Sequence, residues 1–171
     1  VDKLLGDPAR AAGVLGAVQN EATLERVAAA RSLGKVLRDS TPVEGMDGAR
    51  SATPLILAVD AADEAAYLEE RFGPISFIIA TDSVDDAIAR AAGSARTRGA
   101  ITAALYATDE AVIDKAADAF AEAGVALSVN LTGGIFVNQS AAYSDYHVTG
   151  ANPAGNACLC DSAFVANRFR V

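Results

Sequence analysis

The feature that most constrains the fold of this sequence is a regular alternation of short apolar runs and amphipathic segments between residues 53 and 131. Residues 53–59, 75–81, 100–108 and 125–131 are apolar, and each run has the length of a β-strand. Helical patterns separate the last three runs, so we expect these strands to be parallel. Strands that are apolar on both faces are typical of a parallel sheet covered on two sides. The predicted fold class is α/β, a three-layer αβα arrangement with a mainly parallel sheet.

The two helices between these strands have recognisable ends. Ser83 is predicted to cap the first and Thr108 the second, and acidic residues follow each cap, where carboxylates complement the helix dipole. Gly99 and Gly124 are the predicted stop signals. Apolar residues recur at spacings of three and four along both segments, which predicts the inner faces Val84, Ala87, Ile88, Ala91, Ala92 and Ala95, and Val112, Ile113, Ala116, Ala117 and Phe120.

The N-terminal third has a more helical pattern. Asn20 is predicted to cap a helix over residues 21–33, which Gly34 ends, and residues 35–38 form a short strand. Residues 39–52 contain one proline and two glycines and are predicted to be a loop.

The chain is predicted to contain one main domain and a distinct C-terminal element. Residues 1–146 are assigned to an α/β domain, and residues 147–171 to a loop, a short helix and an edge strand. Such an edge strand can dock on another domain or subunit. Because the chain begins at Val1 rather than at a methionine, we expect it to be a piece of a longer polypeptide.

The charge balance excludes one class of partner. The chain has 14 basic and 22 acidic residues, a net charge of -8, without the basic cluster that binds phosphate backbones. No partner nucleic acid is therefore expected. The sequence has neither a signal peptide nor an apolar run of membrane-spanning length, so we predict no membrane partner and a cytoplasmic location.

The reactive side chains near the C-terminus do not form a recognisable catalytic motif. Cys158 and Cys160, the two cysteines, cannot complete a zinc site, and their spacing disfavours a disulfide, so no metal is expected. They are read as small apolar fillers rather than as nucleophiles, and His147 as a hydrogen-bonded loop residue. Gly150 and Gly155 lack the lysine of a phosphate-binding loop, and no dinucleotide fingerprint follows any strand.

The most informative motif is "EERFGP", which separates a helix-like run at residues 61–68 from the apolar run at residues 75–81. The carboxylate of Glu70, just before a tight turn, can accept hydrogen bonds from paired hydroxyls such as those of a ribose. The neighbouring Phe72 ring can pack on a flat ligand. The alternative is an exposed helix end with Phe72 inserted in the core.

The segment "EERFGPISFIIATDSVDDAIARA" resembles the E-E-x-F-G-P region of the aldehyde dehydrogenase superfamily. The segments "GAITAALYATDEAVIDKAADAFAEAGVALSVN" and "LLGDPARAAGVLGAV" resemble further elements of that family, in the family's order. The tail "HVTGANPAGNACLCDSAFVANRFRV" resembles the PaaN branch, named for phenylacetic acid degradation. The resemblance covers essentially the whole chain and implies a catalytic-domain-like α/β fold.

The resemblance implies an enzyme that oxidises an aldehyde or a CoA-linked semialdehyde with NAD or NADP. In the family a cysteine thiolate attacks the aldehyde and hydride passes to the cofactor, but that cysteine and the nucleotide fold lie upstream of the matched part. The resemblance therefore implies no catalytic residue in this chain, which is expected to be inactive alone. It implies that Glu70 and Phe72 contact the nicotinamide ribose and that Asn130 lines the substrate funnel. A homo-oligomeric parent is also implied.

Two departures qualify the resemblance. Arg71 stands where relatives usually have an apolar residue, and "VTGANPAG" replaces the family's S-G-x-G loop. These departures and the missing nucleophile leave a second hypothesis open, a non-catalytic α/β binding or assembly module.

Overall fold

The computed structural model describes residues 1–130 except 16, 19, 46, 47 and 101, and at residues 102 and 126 it describes the backbone only. The predictions for the C-terminal element at residues 147–171, and for His147, Cys158 and Cys160, lie outside the described residues. The chain divides into two compact units, Val1–Thr81 and Asp82–Val171.

The first unit contains a three-stranded sheet with short helices. Its strands lie in the order β1-β2-β3; β1 is antiparallel to β2, and β2 is parallel to β3, with Leu57 opposite Phe77. A single 3-10 turn, Arg31–Leu33, follows the third helix. In chain order the elements are α1 (Asp2–Leu5), α2 (Pro8–Val14), α3 (Glu21–Ala30), β1 (Lys35–Arg38), β2 (Leu55–Asp60), α4 (Glu64–Tyr67) and β3 (Ile75–Ala80).

Helix α3 begins where the sequence predicts. The side-chain oxygen of Asn20 accepts a hydrogen bond of 3.0 Å from the backbone N–H of Thr23, which satisfies one of the free donors of the first turn. Val27 and Ala30 of this helix are buried against Leu55 and Leu57, which are both 0% exposed. The helix therefore covers one face of β2 and β3.

The prediction that the strands are covered on both faces does not hold for β3. Along β3, half-buried residues alternate with exposed ones, and Ile78 is 53% exposed. Side chains alternate across a strand, so Ile78 points away from α3 and from the core that this helix forms. Within the described part of the first unit, packing on β3 is one-sided.

The loop between β1 and β2 is anchored at both ends by polar side chains. The Arg31 guanidinium donates a hydrogen bond of 2.7 Å to Asp39, and the Ser40 backbone N–H donates to the same carboxylate. These two bonds hold the pKa of the exposed Asp39 carboxyl below its ordinary value of 3.8. At the other end, the buried Ser51 hydroxyl accepts a bond of 2.9 Å from the backbone N–H of Val43.

The second unit repeats a helix–strand pattern. Strands β4 and β5 are parallel, with Ala103 opposite Leu127. Helices α5 and α6 supply Ile88 and Phe120 to a core of their own. In chain order the described elements are α5 (Val84–Arg98), β4 (Thr102–Leu105), α6 (Glu110–Glu122) and β5 (Ala126–Val129).

The caps of these helices confirm one prediction and correct another. The Ser83 hydroxyl accepts a hydrogen bond of 3.1 Å from the backbone N–H of Asp86, as predicted. Helix α6 is capped by Asp109 rather than by Thr108, because the Asp109 carboxylate accepts a bond of 2.9 Å from the backbone N–H of Ala111. A carboxylate also complements the positive end of the helix dipole, so the helix begins one residue later than predicted.

The buried face of α5 is narrower than predicted. Ile88, Ala92 and Ala95 are buried, whereas Ala91 is exposed and Val84 is 52% exposed. At about 100° per residue, the three buried positions span an arc of only about 60°. In α6, Ala116 and Phe120 are buried as predicted, and Val112 is partly buried against them.

These elements confirm the predicted α/β class with parallel strand pairs. Within residues 1–130, gaps aside, the longest helices are too short or too polar to cross a membrane.

Candidate functional site

The "EERFGP" segment lines a groove in the first unit. The groove has a volume of about 510 Å³. Residues 70–74 line it between α4 and β3, together with Val14, Leu15, Ala17 and Val18 at the end of α2 and just beyond it. The structure therefore brings Glu70 and Phe72, the two predicted cofactor contacts, to one groove with an apolar lining.

The two adjacent glutamates have different environments. Glu69 forms an ion pair of 2.8 Å with the Arg71 guanidinium. Glu70 is exposed and lines the groove, and its carboxylate has no hydrogen-bond or ion-pair partner among the described residues. The second glutamate of the motif is thus the one whose acceptor oxygens are available to a ligand.

Phe72 does not pack in the core. Phe72 is 67% exposed and lines the groove, so the alternative in which the ring inserts into the core is wrong. An exposed aromatic ring beside a carboxylate offers a flat apolar surface to a ligand whose hydroxyls the carboxylate can bind.

Arg26, on helix α3, holds the backbone of this segment. Its Nε donates a hydrogen bond of 2.8 Å to the carbonyl oxygen of Phe72, and its guanidinium carbon lies 5.9 Å from the centroid of the Phe72 ring. Another nitrogen of the same guanidinium donates to the Thr23 hydroxyl at 2.9 Å. No sequence pattern points to Arg26, because 46 residues separate it from Phe72.

The turn after Phe72 depends on close packing at Gly73. The φ angle of Gly73 is 156°, and a Cβ atom placed on it would lie 3.3 Å from the Thr23 methyl carbon. The Gly73 carbonyl accepts a bond of 2.8 Å from the backbone N–H of Ile75, and the Pro74 carbonyl accepts one of 2.8 Å from Leu55. The turn therefore joins the motif to α3 and to the start of β2.

Arg71 is partly buried rather than fully exposed. Besides its ion pair with Glu69, its Nε is buried and has no hydrogen-bond partner among the described residues. A buried donor without a partner costs free energy.

Asn130, the predicted substrate-lining residue, lies in the second unit and joins two strand ends. Its side-chain oxygen accepts a bond of 3.0 Å from the backbone N–H of Ala107, and its amide nitrogen donates 2.8 Å to the Ala107 carbonyl. Its own backbone N–H donates 2.8 Å to the Leu105 carbonyl. The amide extends the β4–β5 pairing by one step. A role in lining a substrate funnel stays a prediction.

Replacing Asn130 tests this bridging function. The φ angle of Asn130 is 53°, a left-handed conformation that asparagine adopts more easily than alanine. Asn130→Ala should lower the free energy of unfolding by about 1–2 kcal/mol, because it loses two hydrogen bonds and adds backbone strain. Asn130→Gly removes the same bonds without the strain and should cost less, by up to about 1 kcal/mol. Urea unfolding followed by circular dichroism measures both. Equal losses would show that backbone strain contributes nothing at this position.

The arrangement at the groove is suited to binding rather than to bond cleavage. A free carboxylate, an exposed ring and an apolar lining can hold a ligand with a vicinal diol next to a flat ring. Residues 1–130, apart from the gaps, contain no group of three His, Cys, Asp or Glu side chains that could hold a metal ion.

The chain is similar to known proteins over most of its length. The model of the aldehyde dehydrogenase family matches residues 1–150. The crystal structure of an NAD-dependent aldehyde dehydrogenase from Burkholderia multivorans matches with a TM-score of 0.81 and 53% sequence identity. This match covers 99% of the present chain and 31% of the other, so the chain spans less than a third of the length of that relative. No curated protein matches the chain. With most of its residues matched by the family model, the chain belongs to the aldehyde dehydrogenase family.

Proposed function

We propose that this chain is the catalytic-domain part of an NAD(P)-dependent aldehyde dehydrogenase that oxidises an aldehyde or a CoA-linked semialdehyde. The observation that carries the proposal is the groove in which the free Glu70 carboxylate and the exposed Phe72 ring lie together. The NAD-dependent relative from Burkholderia multivorans supports the choice of cofactor. The resemblance of the C-terminal tail to the PaaN branch supports a place in phenylacetate degradation.

The residues of the groove fit the cofactor that we propose. Glu70 has two acceptor oxygens without a partner among the described residues, and a ribose diol supplies two donors. The Phe72 ring offers its face to the nicotinamide or to the sugar. When bound, NAD(P) supplies a hydride acceptor. Glu70 and Phe72 then orient the cofactor, and the apolar residues at the end of α2 exclude water from its reactive ring.

The remaining assignments belong to the same proposal. Residues 1–146 form the catalytic-domain part, and residues 147–171 contact the cofactor domain or a partner in a homo-oligomer. Asn130 lines the substrate funnel from the end of β5. The attacking thiolate comes from a part of the polypeptide outside this chain, so the isolated chain is inactive, and the enzyme is cytoplasmic.

The proposal is tested in a longer polypeptide that contains this chain together with the preceding cofactor-binding part. Aldehyde-dependent formation of NADH or NADPH is followed by absorbance. Glu70→Gln should raise the KM for the cofactor roughly tenfold to a hundredfold, because each hydrogen bond to a charged group contributes about 1.5–3 kcal/mol. Thermal unfolding should not change, since Glu70 is exposed and its carboxylate has no hydrogen-bond or ion-pair partner within the described part of the chain.

Glu69→Gln is the matched control, because it removes the neighbouring charge, whose side chain is 69% exposed and paired with Arg71. Glu69 does not line the groove, so the KM for the cofactor should change less than threefold. Equal effects of the two variants would refute the assignment of Glu70. No turnover with any aldehyde or acyl-CoA semialdehyde would favour the alternative, a non-catalytic binding or assembly module.

A further inference from the structure

We propose that Arg26 is the positioning residue of the cofactor groove and that it sets the place and orientation of the Phe72 ring. This inference rests on the proposed function, in which the ring contacts the nicotinamide ribose. Arg26 does not line the groove itself, so it acts through Phe72 and not on the ligand.

The contacts of Arg26 restrain the ring in two ways. The bond of 2.8 Å from Nε fixes the Phe72 carbonyl, and the guanidinium lies 5.9 Å from the centroid of the ring. The first contact holds the backbone of the segment, and the second holds the side chain by cation–π attraction. Because Phe72 is 67% exposed, packing in the core restrains its ring little, and these two contacts with Arg26 restrain it instead.

The guanidinium is itself fixed in place. It donates 2.9 Å to the hydroxyl of the buried Thr23, and that hydroxyl donates 3.1 Å to the side-chain oxygen of Asn20. Asn20 is the N-cap of α3, so this chain of hydrogen bonds begins at a helix end that packs on the core. A planar guanidinium with two of its donors in place loses less conformational entropy per bond than a flexible ammonium. The ring is thereby tied to the most buried layer of the first unit.

The first test measures the ring in the 171-residue chain. The sequence has no tryptophan, so Phe72→Trp places a single indole at this position. The Arg26 guanidinium should attract iodide to the indole. The ratio of iodide quenching to acrylamide quenching should therefore be higher than for an indole without a neighbouring cation. Combining Phe72→Trp with Arg26→Met should lower this ratio about twofold, because the local cation is lost, and should lower the fluorescence anisotropy.

Arg96→Met is the matched control, because it removes the same net charge from an exposed arginine of α5. In the Phe72→Trp background it should leave both the quenching ratio and the anisotropy unchanged. If Arg26→Met and Arg96→Met give the same values, Arg26 does not hold the ring and the inference is overturned.

The second test uses the longer polypeptide with its cofactor. Arg26→Met should raise the KM for the cofactor about threefold to tenfold with less than a twofold change in kcat, since a displaced ring weakens binding. Arg26→Lys keeps the charge but loses the planar donor geometry, and it should give an intermediate KM. The positioning role would be refuted if Arg26→Met lowered the quenching ratio and the anisotropy of the indole but left the KM for the cofactor unchanged. If the polypeptide reduces no cofactor, the proposed function fails, while the fluorescence result still shows whether Arg26 holds the ring.

Discussion

Replacing Gly34 by alanine is expected to lower the free energy of unfolding by about 2–3 kcal/mol, in the upper part of the range for overpacked sites. A Cβ atom on Gly34 would lie 2.5 Å from the carbonyl oxygen of Ala58 and 2.8 Å from a methyl group of Val59. The φ angle of Gly34 is -174°, an extended conformation that any residue adopts, so the cost comes from the close approach alone. The clash is with the backbone of β2, which cannot move without disturbing its pairing with β3.

Gly13→Ala is the matched control for this prediction. Gly13 lies in α2 of the same unit, and a Cβ atom there would meet nothing within 4 Å. Alanine has the higher helix propensity, so this variant should raise the free energy of unfolding by about 0.5–1 kcal/mol. Urea unfolding of the two variants and the parent chain measures the difference. Similar stabilities for Gly34→Ala and Gly13→Ala would contradict the close approach of Gly34 to β2.

Replacing Gly73 by alanine is expected to affect both stability and cofactor binding. The φ angle of 156° is a conformation that side-chain-bearing residues rarely adopt, and such strain costs about 1–3 kcal/mol. The new methyl group would also lie 3.3 Å from the Thr23 methyl carbon, so the turn must shift away from α3. Because Phe72 immediately precedes Gly73, that shift would lengthen the hydrogen bond from Arg26 and move the ring.

Gly45→Ala separates strain from packing. Gly45 also has a positive φ angle, 77°, but a Cβ atom there meets nothing within 4 Å. Both variants should lose stability in urea unfolding, with about 1 kcal/mol expected for Gly45→Ala. In the longer polypeptide only Gly73→Ala should raise the KM for the cofactor. An unchanged KM in Gly73→Ala would show that the turn does not position Phe72.

Local patterns predicted most of the secondary structure. Asn20 and Ser83 cap their helices as predicted, because a short polar side chain before an apolar repeat satisfies free N–H groups of the first turn wherever the helix packs. The strand at residues 75–80 lies within its predicted apolar run, and the strand at residues 55–60 extends one residue past the run predicted at residues 53–59. Both predictions were close because an apolar run is a local feature of the sequence. The error at Thr108 has the same local origin, since Asp109 competes for the same helix start.

The extent of burial was harder to predict. The sequence pattern placed Val84 and Ala91 on the inner face of α5 and implied that β3 is covered on both sides, yet these two residues and Ile78 are exposed. Periodicity tells which side chains share a face, but not how much of that face a neighbouring element covers. Coverage depends on which elements pack together, and a local pattern contains no such information.

By itself, the sequence determined the α/β class, the helix caps at Asn20 and Ser83, and the motif that contains Glu70 and Phe72, because each is encoded in residues a few positions apart. Only the tertiary structure decided that Glu69 is paired while Glu70 has no partner among the described residues. It also decided that Phe72 lines a groove and that Arg26 donates a hydrogen bond to the Phe72 carbonyl. The restraint on Phe72 depends on a contact across 46 residues of chain, between the third helix and the turn before the third strand. Such contacts form only when hydrophobic burial brings distant segments together, and spacing along the chain does not encode them.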